Sequence, residues 1–386
     1  MTNNFAGKFW SFSFYMMFFA AVAALYNFVV LFYDNQGLPG SQIGVLMSMG
    51  SLLGMFAGPL LSGLADASRQ HRLVLSLAVI GSLSTIFCFP FFHSFWAFFF
   101  LITLQSVFSA PIIPLVDNAT LAILGEQKRY YGLVRLGGTI GYGLTGPIAS
   151  LVVERYGLQW SFWMYSAFLL VGLIAVQQLH FSQKPTGQSF LHGVRQVLGE
   201  RRWIVFLAVA MMAGIGTGII SSYLFLYLER IGTSTAWMGW ALTISTGTEL
   251  VILLFASPLM KNFKARGLLT LGLAGTAIRC MLYGVTSIPW MALAIQLLQA
   301  VSYPLILVAG VSYADEIAPA GMGATGQGIF NSAFMGIGFA LGGFFGGVLS
   351  QYIGVQQMFL VIGAVVMIAA IVYGVLPRTD PAPQPA

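Results

Sequence analysis

Charge is what this chain has least of. Asp, Glu, Lys and Arg make up 7% of its 386 residues, where a soluble domain carries about a quarter. So few charges cannot cover a water-facing surface, and 58% of the residues are hydrophobic. The expected class is an all-α integral membrane protein. Cysteine is nearly absent. Cys88 and Cys280 both lie in apolar runs, which argues against a disulfide and against a cysteine metal site. The four histidines, His71, His93, His180 and His192, stand at run ends or in loops with no ligand spacing. No metal, no cofactor and no enzymatic activity are therefore expected.

What the chain has in abundance is apolar length. A helix needs about 20 apolar residues to cross roughly 30 Å of hydrocarbon, and twelve such runs are present. They span residues 9 to 32, 42 to 64, 73 to 92, 95 to 123, 131 to 153 and 159 to 180, then 203 to 228, 236 to 260, 267 to 287, 289 to 313, 322 to 350 and 355 to 376. The first run has no small-residue cleavage site and reads as a retained helix. Trp10, Trp96, Trp160 and Trp203 sit near run ends, where interfacial belt residues belong.

Lysine and arginine set the orientation. With the N-terminus inside, only Arg155 and Arg230 fall in outer segments, and Arg135 and Arg279 lie inside runs; every other Lys and Arg is on the inner side. The positive-inside rule thus places both termini in the cytoplasm of an inner-membrane, multi-pass protein. This loop asymmetry accounts for the net charge of +6 without a nucleic-acid partner. The partners expected are the lipid bilayer and a small-molecule solute, with the chain acting as a monomer.

The longest polar stretch, residues 181 to 202, splits the runs six and six. The expected domains are an N-terminal bundle (1–180), a cytoplasmic linker (181–202) and a C-terminal bundle with a short tail (203–386). Two short matches indicate duplication. FAGPL at Phe56 recurs as FASPL at Phe255, and IGYGLTG from Ile140 followed by YGLQWSF recurs as IGFALGG from Ile337 followed by IGVQQMF. The two halves are in parallel register. The expected architecture is two parallel six-helix repeats around a central cavity, which is transporter architecture.

Four ionisable residues stand inside the runs: Asp117, Arg135, Glu249 and Arg279. Such groups are costly in hydrocarbon, face the protein interior and pair. Asp117 lies nine residues before Glu126 and Arg135 nine after it, with Glu126 in the loop joining the fourth and fifth runs. An antiparallel hairpin brings both to one depth. Glu249 and Arg279, 12 residues before Lys261 and 13 after Arg266, share a greater depth by the same count. Arg135 admits three readings: a side chain snorkelling to cytoplasmic water, a structural ion pair with Asp117, or half of a solute-binding pair. Pro111 and Pro114 are expected to bend the fourth helix.

At these residues the chain resembles the major facilitator superfamily, in the branch that holds the lactose and phenylpropionate permeases. PIIPLVD with Asp117, YYGLVRLGG with Arg135, TGTELVILLF with Glu249 and AGTAIRCMLYG with Arg279 carry the likeness. It implies that Asp117 and Arg135 hold the solute, that Tyr142 stacks on a ring, and that Glu249, Arg279 and Asp117 handle a coupling proton. Gln299 and Ser302 replace the helix-ten histidine and glutamate of lactose permease, so Gln299 joins the solute-site candidates while that proton route is incomplete. Asp66 and Arg69, in ADASR, match the gating loop of the superfamily only weakly. The function expected is secondary active transport of a sugar or small aromatic carboxylate by alternating access, with proton symport. A passive facilitator, an efflux carrier and a non-transporting sensor remain as alternatives.

Overall fold

Every long element in the computed structural model is a helix; it describes residues 2–181, 200–319 and 322–376, and most of the expected linker lies outside the described residues. The helices are α1 (Ala6–Asn35), α2 (Gly40–Ser68), α3 (His71–Phe91), α4 (95–124), α5 (Tyr131–Tyr156) and α6 (Gln159–Gln178). They continue with α7 (Arg201–Arg230), α8 (Thr235–Leu254), α9 (Phe263–Val285), α10 (Pro289–Ile317), α11 (Thr325–Ile353) and α12 (Val355–Val375). Ten of them are long and apolar enough to cross a bilayer, and α4 and α5 together form an eleventh such stretch, Phe95–Tyr156. Helices α4 and α5 form one hairpin because a 3-10 turn, Gly125–Tyr130, reverses the chain at Gly125, whose φ of 51° suits a residue without Cβ.

The two halves repeat one another turn by turn. Gly157 before α6 and Gly354 before α12 have φ of 98° and 83°, and they stand 197 residues apart, the offset of the IGYGLTG match. Gly37 and Gly232, with φ of 78° and 80°, close α1 and α7. Two residues with a side chain adopt positive φ, Arg69 (56°) in the α2–α3 turn and Lys264 (53°) at the start of α9. Packing repeats as well. A methyl group on Gly141 of α5 would run into the Met16 carbonyl of α1, and one on Gly338 of α11 would meet the Met211 carbonyl of α7. Small residues allow these backbones to touch where no hydrophobic effect drives helices together.

Several helices break inside their apolar length. α1 opens into a turn at residues 26–28, and α4 interrupts at Ala110 and Pro111, as its prolines predict. α10 passes through a 3-10 segment, Gln296–Val301, and α11 through a π segment, Ser332–Gly338. Such irregular backbone at membrane depth persists only where protein or water satisfies it.

By their contacts the described residues fall into two units, residues 1–186 with 222–246, and residues 187–221 with 247–386. In the first, the ends of α7 and α8 are pinned to α1 and α5. Arg230 Nη2 donates to Asp34 Oδ2 at 2.7 Å, and the Ala236 amide at the start of α8 donates to Glu154 Oε2 at 2.6 Å. Thr243 Oγ1 donates to the Gly143 carbonyl at 2.7 Å, and Gly146 and Gly239 cross backbone to backbone. In the second unit Trp203 corrects the belt expectation. It is fully buried, and its Nε1 donates to the Ile317 carbonyl at 3.3 Å. A tryptophan at a run end is also a good core residue where a neighbouring helix offers a carbonyl. Trp96 and Trp160 are exposed, as interfacial residues are. Cys88 and Cys280 are free thiols.

Candidate functional site

The first unit brings Asp117 and Arg135 into contact. Arg135 Nη1 lies 3.2 Å from Asp117 Oδ2, so the equal depth counted along the α4–α5 hairpin is matched by lateral proximity. The local sequence explains the meeting. The tight turn at Gly125 keeps the two helices in antiparallel register, and Ile112–Leu124 presents Leu115, Val116, Ala119 and Thr120 to the interior beside Asp117.

Two tyrosines complete this cluster and went unread in the sequence. Tyr15 on α1, fully buried, donates its hydroxyl to Asp117 Oδ1 at 2.5 Å. Tyr131, one helical turn before Arg135, lies 2.8 Å from Arg135 Nη1 through its hydroxyl. The guanidinium carbon is also 5.9 Å from the centre of the Tyr15 ring, within cation–π range. Arg135 is bonded inward, as a purely snorkelling side chain would not be. The pair is only partly enclosed, with 42% of the arginine side chain and 26% of the aspartate side chain exposed. Charge is matched here and the site remains accessible.

Tyr142 stands two turns along α5 from Arg135, half-buried, and Asn27 Nδ2 donates to its hydroxyl at 3.2 Å. Asn27 lies in the broken turn of α1. An asparagine within the apolar run ALYNFVVLF was the available signal for this break, since a buried amide demands partners. A second polar group, Gln105 with Ser82 and Tyr165, is buried nearby in the same unit: Gln105 Nε2 donates to Ser82 Oγ at 2.9 Å and to Tyr165 Oη at 3.0 Å.

The second unit treats its arginine differently. Arg279 is 3% exposed and forms no ion pair among the described residues. Its Nη2 donates to Gln296 Oε1 at 2.9 Å, its Nη1 to Ser302 Oγ at 3.1 Å and to Gln299 Oε1. All three acceptors come from the 3-10 stretch of α10 and the residue that ends it. The 3-10 winding stacks residues three apart, and so sets Gln296, Gln299 and Ser302 along one edge. Glu249 and Arg279 thus share no direct bond. Gln299 accepts from Arg279 and is the polar side chain that interacts with the Glu249 carboxyl. α8 ends at Leu254 and the chain bends at Phe255, so the 12 residues from Glu249 to Lys261 are not one straight helix.

In the α2–α3 turn Asp66 binds His71 Nε2 at 2.7 Å, while Arg69 engages Asp66 only through its own backbone N–H, 3.4 Å from the Asp66 carbonyl. Asp66 and Arg69 make no side-chain clasp with one another. Among the described residues no group of His, Cys, Asp and Glu has the arrangement of a metal site.

The sequence pattern of the MFS_1 like family matches residues 9–361. The chain belongs to this family of the major facilitator superfamily. Members of the family move small solutes across membranes, and this chain is a multi-pass membrane transporter. It is 26% identical to a protein of Escherichia coli (strain K12) named probable 3-phenylpropionic acid transporter, over 88% of this chain and 90% of that one. It is 24% identical to the maltose permease of Geobacillus stearothermophilus, over 84% and 83%. Among solved structures, the nucleoside transporter NupG superposes with a TM-score of 0.84 at 16% identity, covering 97% of this chain and 98% of that one. At that identity the likeness speaks for the fold alone, twelve helices in two repeats.

Proposed function

We propose that this transporter carries a small, neutral, hydroxyl-bearing solute of the sugar class by alternating access, with Asp117 and Arg135 as its principal binding pair. The observation that carries this reading is the 3.2 Å contact between them. A neutral polyol can enter such a pair by donating to the carboxylate and accepting from the guanidinium, with no change in net charge. An anionic solute has to break the ion pair and leave the aspartate without its cation, which is costly in a low-dielectric setting. Tyr142, positioned by Asn27, supplies a face for a sugar ring. A relative named for maltose fits this reading, and a relative named for 3-phenylpropionic acid supports the second one, a small aromatic carboxylate held by Arg135.

Coupling to protons is assigned to Glu249. A primary amide both donates and accepts, so Gln299 can donate to ionised Glu249 with its oxygen on Arg279, or turn that oxygen toward a protonated Glu249. Loading Glu249 with a proton changes what Gln299 offers Arg279. Gln299 and Asp117 are the remaining candidates for solute contact and proton handling.

Thermal unfolding of the full chain with disaccharides, nucleosides and small aromatic carboxylates tests the solute class, because a ligand that binds only the folded state raises its stability. Stabilisation by a neutral hydroxylated solute, lost in Asp117→Asn, is expected. Stabilisation by carboxylates alone, kept in Asp117→Asn, replaces this reading with the aromatic-acid one. For coupling, Glu249→Gln in vesicles should abolish accumulation under an imposed pH gradient while solute exchange continues. A wild-type protein indifferent to the gradient is a facilitator.

A further inference from the structure

One recess in the first unit lies away from the solute cluster and has no role in it. It is an open hollow of about 740 Å3 where the α2–α3 turn meets the end of α6, a size that accommodates organic ligands. Its polar walls are basic: Arg69, His71, Arg72 and His180, with Gln177 and Ser76 alongside. Asp66, at its edge, is already engaged by His71 at 2.7 Å. Arg72 is held in place through Nη2, which donates to the Leu179 carbonyl at 2.8 Å, and the His71 ring stacks on Phe181. Among the described residues the Arg69 side chain has no protein partner and is exposed. Among the described residues the recess therefore holds two guanidinium groups with no neutralising acid left over.

We propose that this recess binds the phosphate of an anionic glycerophospholipid. The end of the bundle in question is the one that the positive-inside expectation assigns to the cytoplasm, where the inner leaflet presents phosphates at this depth. Basic pockets at helix ends on that side suit anionic head groups, and a guanidinium offers a planar fork that matches phosphate oxygens. A soluble phosphate compound shares this chemistry, but the surroundings favour a lipid. From Leu73 at the recess an exposed apolar stripe runs along α3 through Leu77 and Ile80, and another runs along α6 through Ile174 and Leu170. α3 and α6 pack side by side, joined by Gln177 to Ser76 at 3.1 Å and by Ser82 to Tyr165 at 2.8 Å. A phosphate in the recess would thus sit at the head of a seam shaped for acyl chains.

Native mass spectrometry of the full-length chain in detergent tests the assignment. Phosphatidylglycerol and phosphatidylcholine with identical acyl chains are titrated, with inorganic phosphate and glycerol 3-phosphate as soluble competitors. The wild type should retain phosphatidylglycerol in preference to phosphatidylcholine. That preference should fall about fivefold in Arg69→Gln, the change that loss of about 1 kcal/mol per basic residue produces, and return in Arg69→Lys. Arg69 is the decisive position because its side chain holds no protein bond, so folding does not depend on it. Arg155→Gln, at the opposite end of the bundle, should leave the preference unchanged. An unaltered preference in Arg69→Gln overturns the site, and an equal loss in Arg155→Gln reduces it to bulk charge. Displacement of the lipid by millimolar glycerol 3-phosphate overturns the lipid assignment in favour of a soluble phosphate ligand.

Discussion

Arg135 and Arg279 are the same residue in the same kind of place, a membrane helix, and the protein handles them in opposite ways. Arg135 meets a carboxylate, Asp117, and stays partly open. Arg279 is buried among two amides and a hydroxyl. An arginine paired with an acid in reach of water can exchange that acid for the hydroxyls of a solute at modest cost. An arginine wrapped by neutral acceptors keeps its full charge, and any change in those acceptors is felt directly. On the function proposed above, the first cluster serves recognition and the second switching.

The most damaging way to break the comparison is Arg279→Ala. It leaves the buried acceptors of Gln296 and Ser302, and that of half-buried Gln299, without their guanidinium donor, for an expected loss of about 3 kcal/mol and no transport. Thermal unfolding and vesicle uptake measure both; a variant as stable as the wild type means that water replaces the guanidinium and the cluster is wetter than its burial indicates. Asp117→Asn should act in the reverse proportion. Because the pair is partly exposed, stability should fall by only about 1 kcal/mol, whereas solute affinity should drop about thirtyfold, as loss of a charge-assisted bond implies. Equal effects on stability and affinity would make the pair structural.

Gln299→Glu sharpens the contrast by making the second cluster resemble the first. An acid beside Arg279 should raise the unfolding midpoint and slow uptake about tenfold, since a direct ion pair removes the neutral relay to Glu249. Unchanged uptake would show that Arg279 takes no part in switching. The smallest effect is expected at the α1–α7 contact. Arg230→Gln removes an exposed pair with Asp34 that contributes about 0–1 kcal/mol, so stability should barely move, but the rate of exchange should rise if that contact opens in each cycle. A large fall in stability instead would make the contact a structural tie.

Much of this was legible in the residues. The counting that brought Asp117 and Arg135 to one depth worked because a single short turn joins two straight helical segments around it. The same counting rests on less at Glu249, because α8 stops at Leu254 and the chain bends before Lys261. Tyr15 and Tyr131 were invisible as partners of the ion pair: a tyrosine in an apolar run is ordinary, and only its azimuth decides whether the hydroxyl reaches a carboxylate. Gln296 offered a weak signal as a second glutamine in one run, and Pro304, which cannot donate to the Ala300 carbonyl, marked the break without revealing the 3-10 winding that aligns Gln296 with Gln299 and Ser302. Trp203 was misread because belt and core tryptophans both occur at run ends.

Composition and periodicity by themselves determined the solvent, the number of crossings and the duplication, since apolar length and the spacing of matching segments are properties of one dimension. The paired glycines at 157 and 354, with their positive φ, follow from that same duplication. Which neighbours each buried charge meets was decided only by tertiary structure. Rotation about a helix axis and a break of one turn move a side chain by several ångströms, and the free energy of a buried guanidinium depends on what lies within three of them.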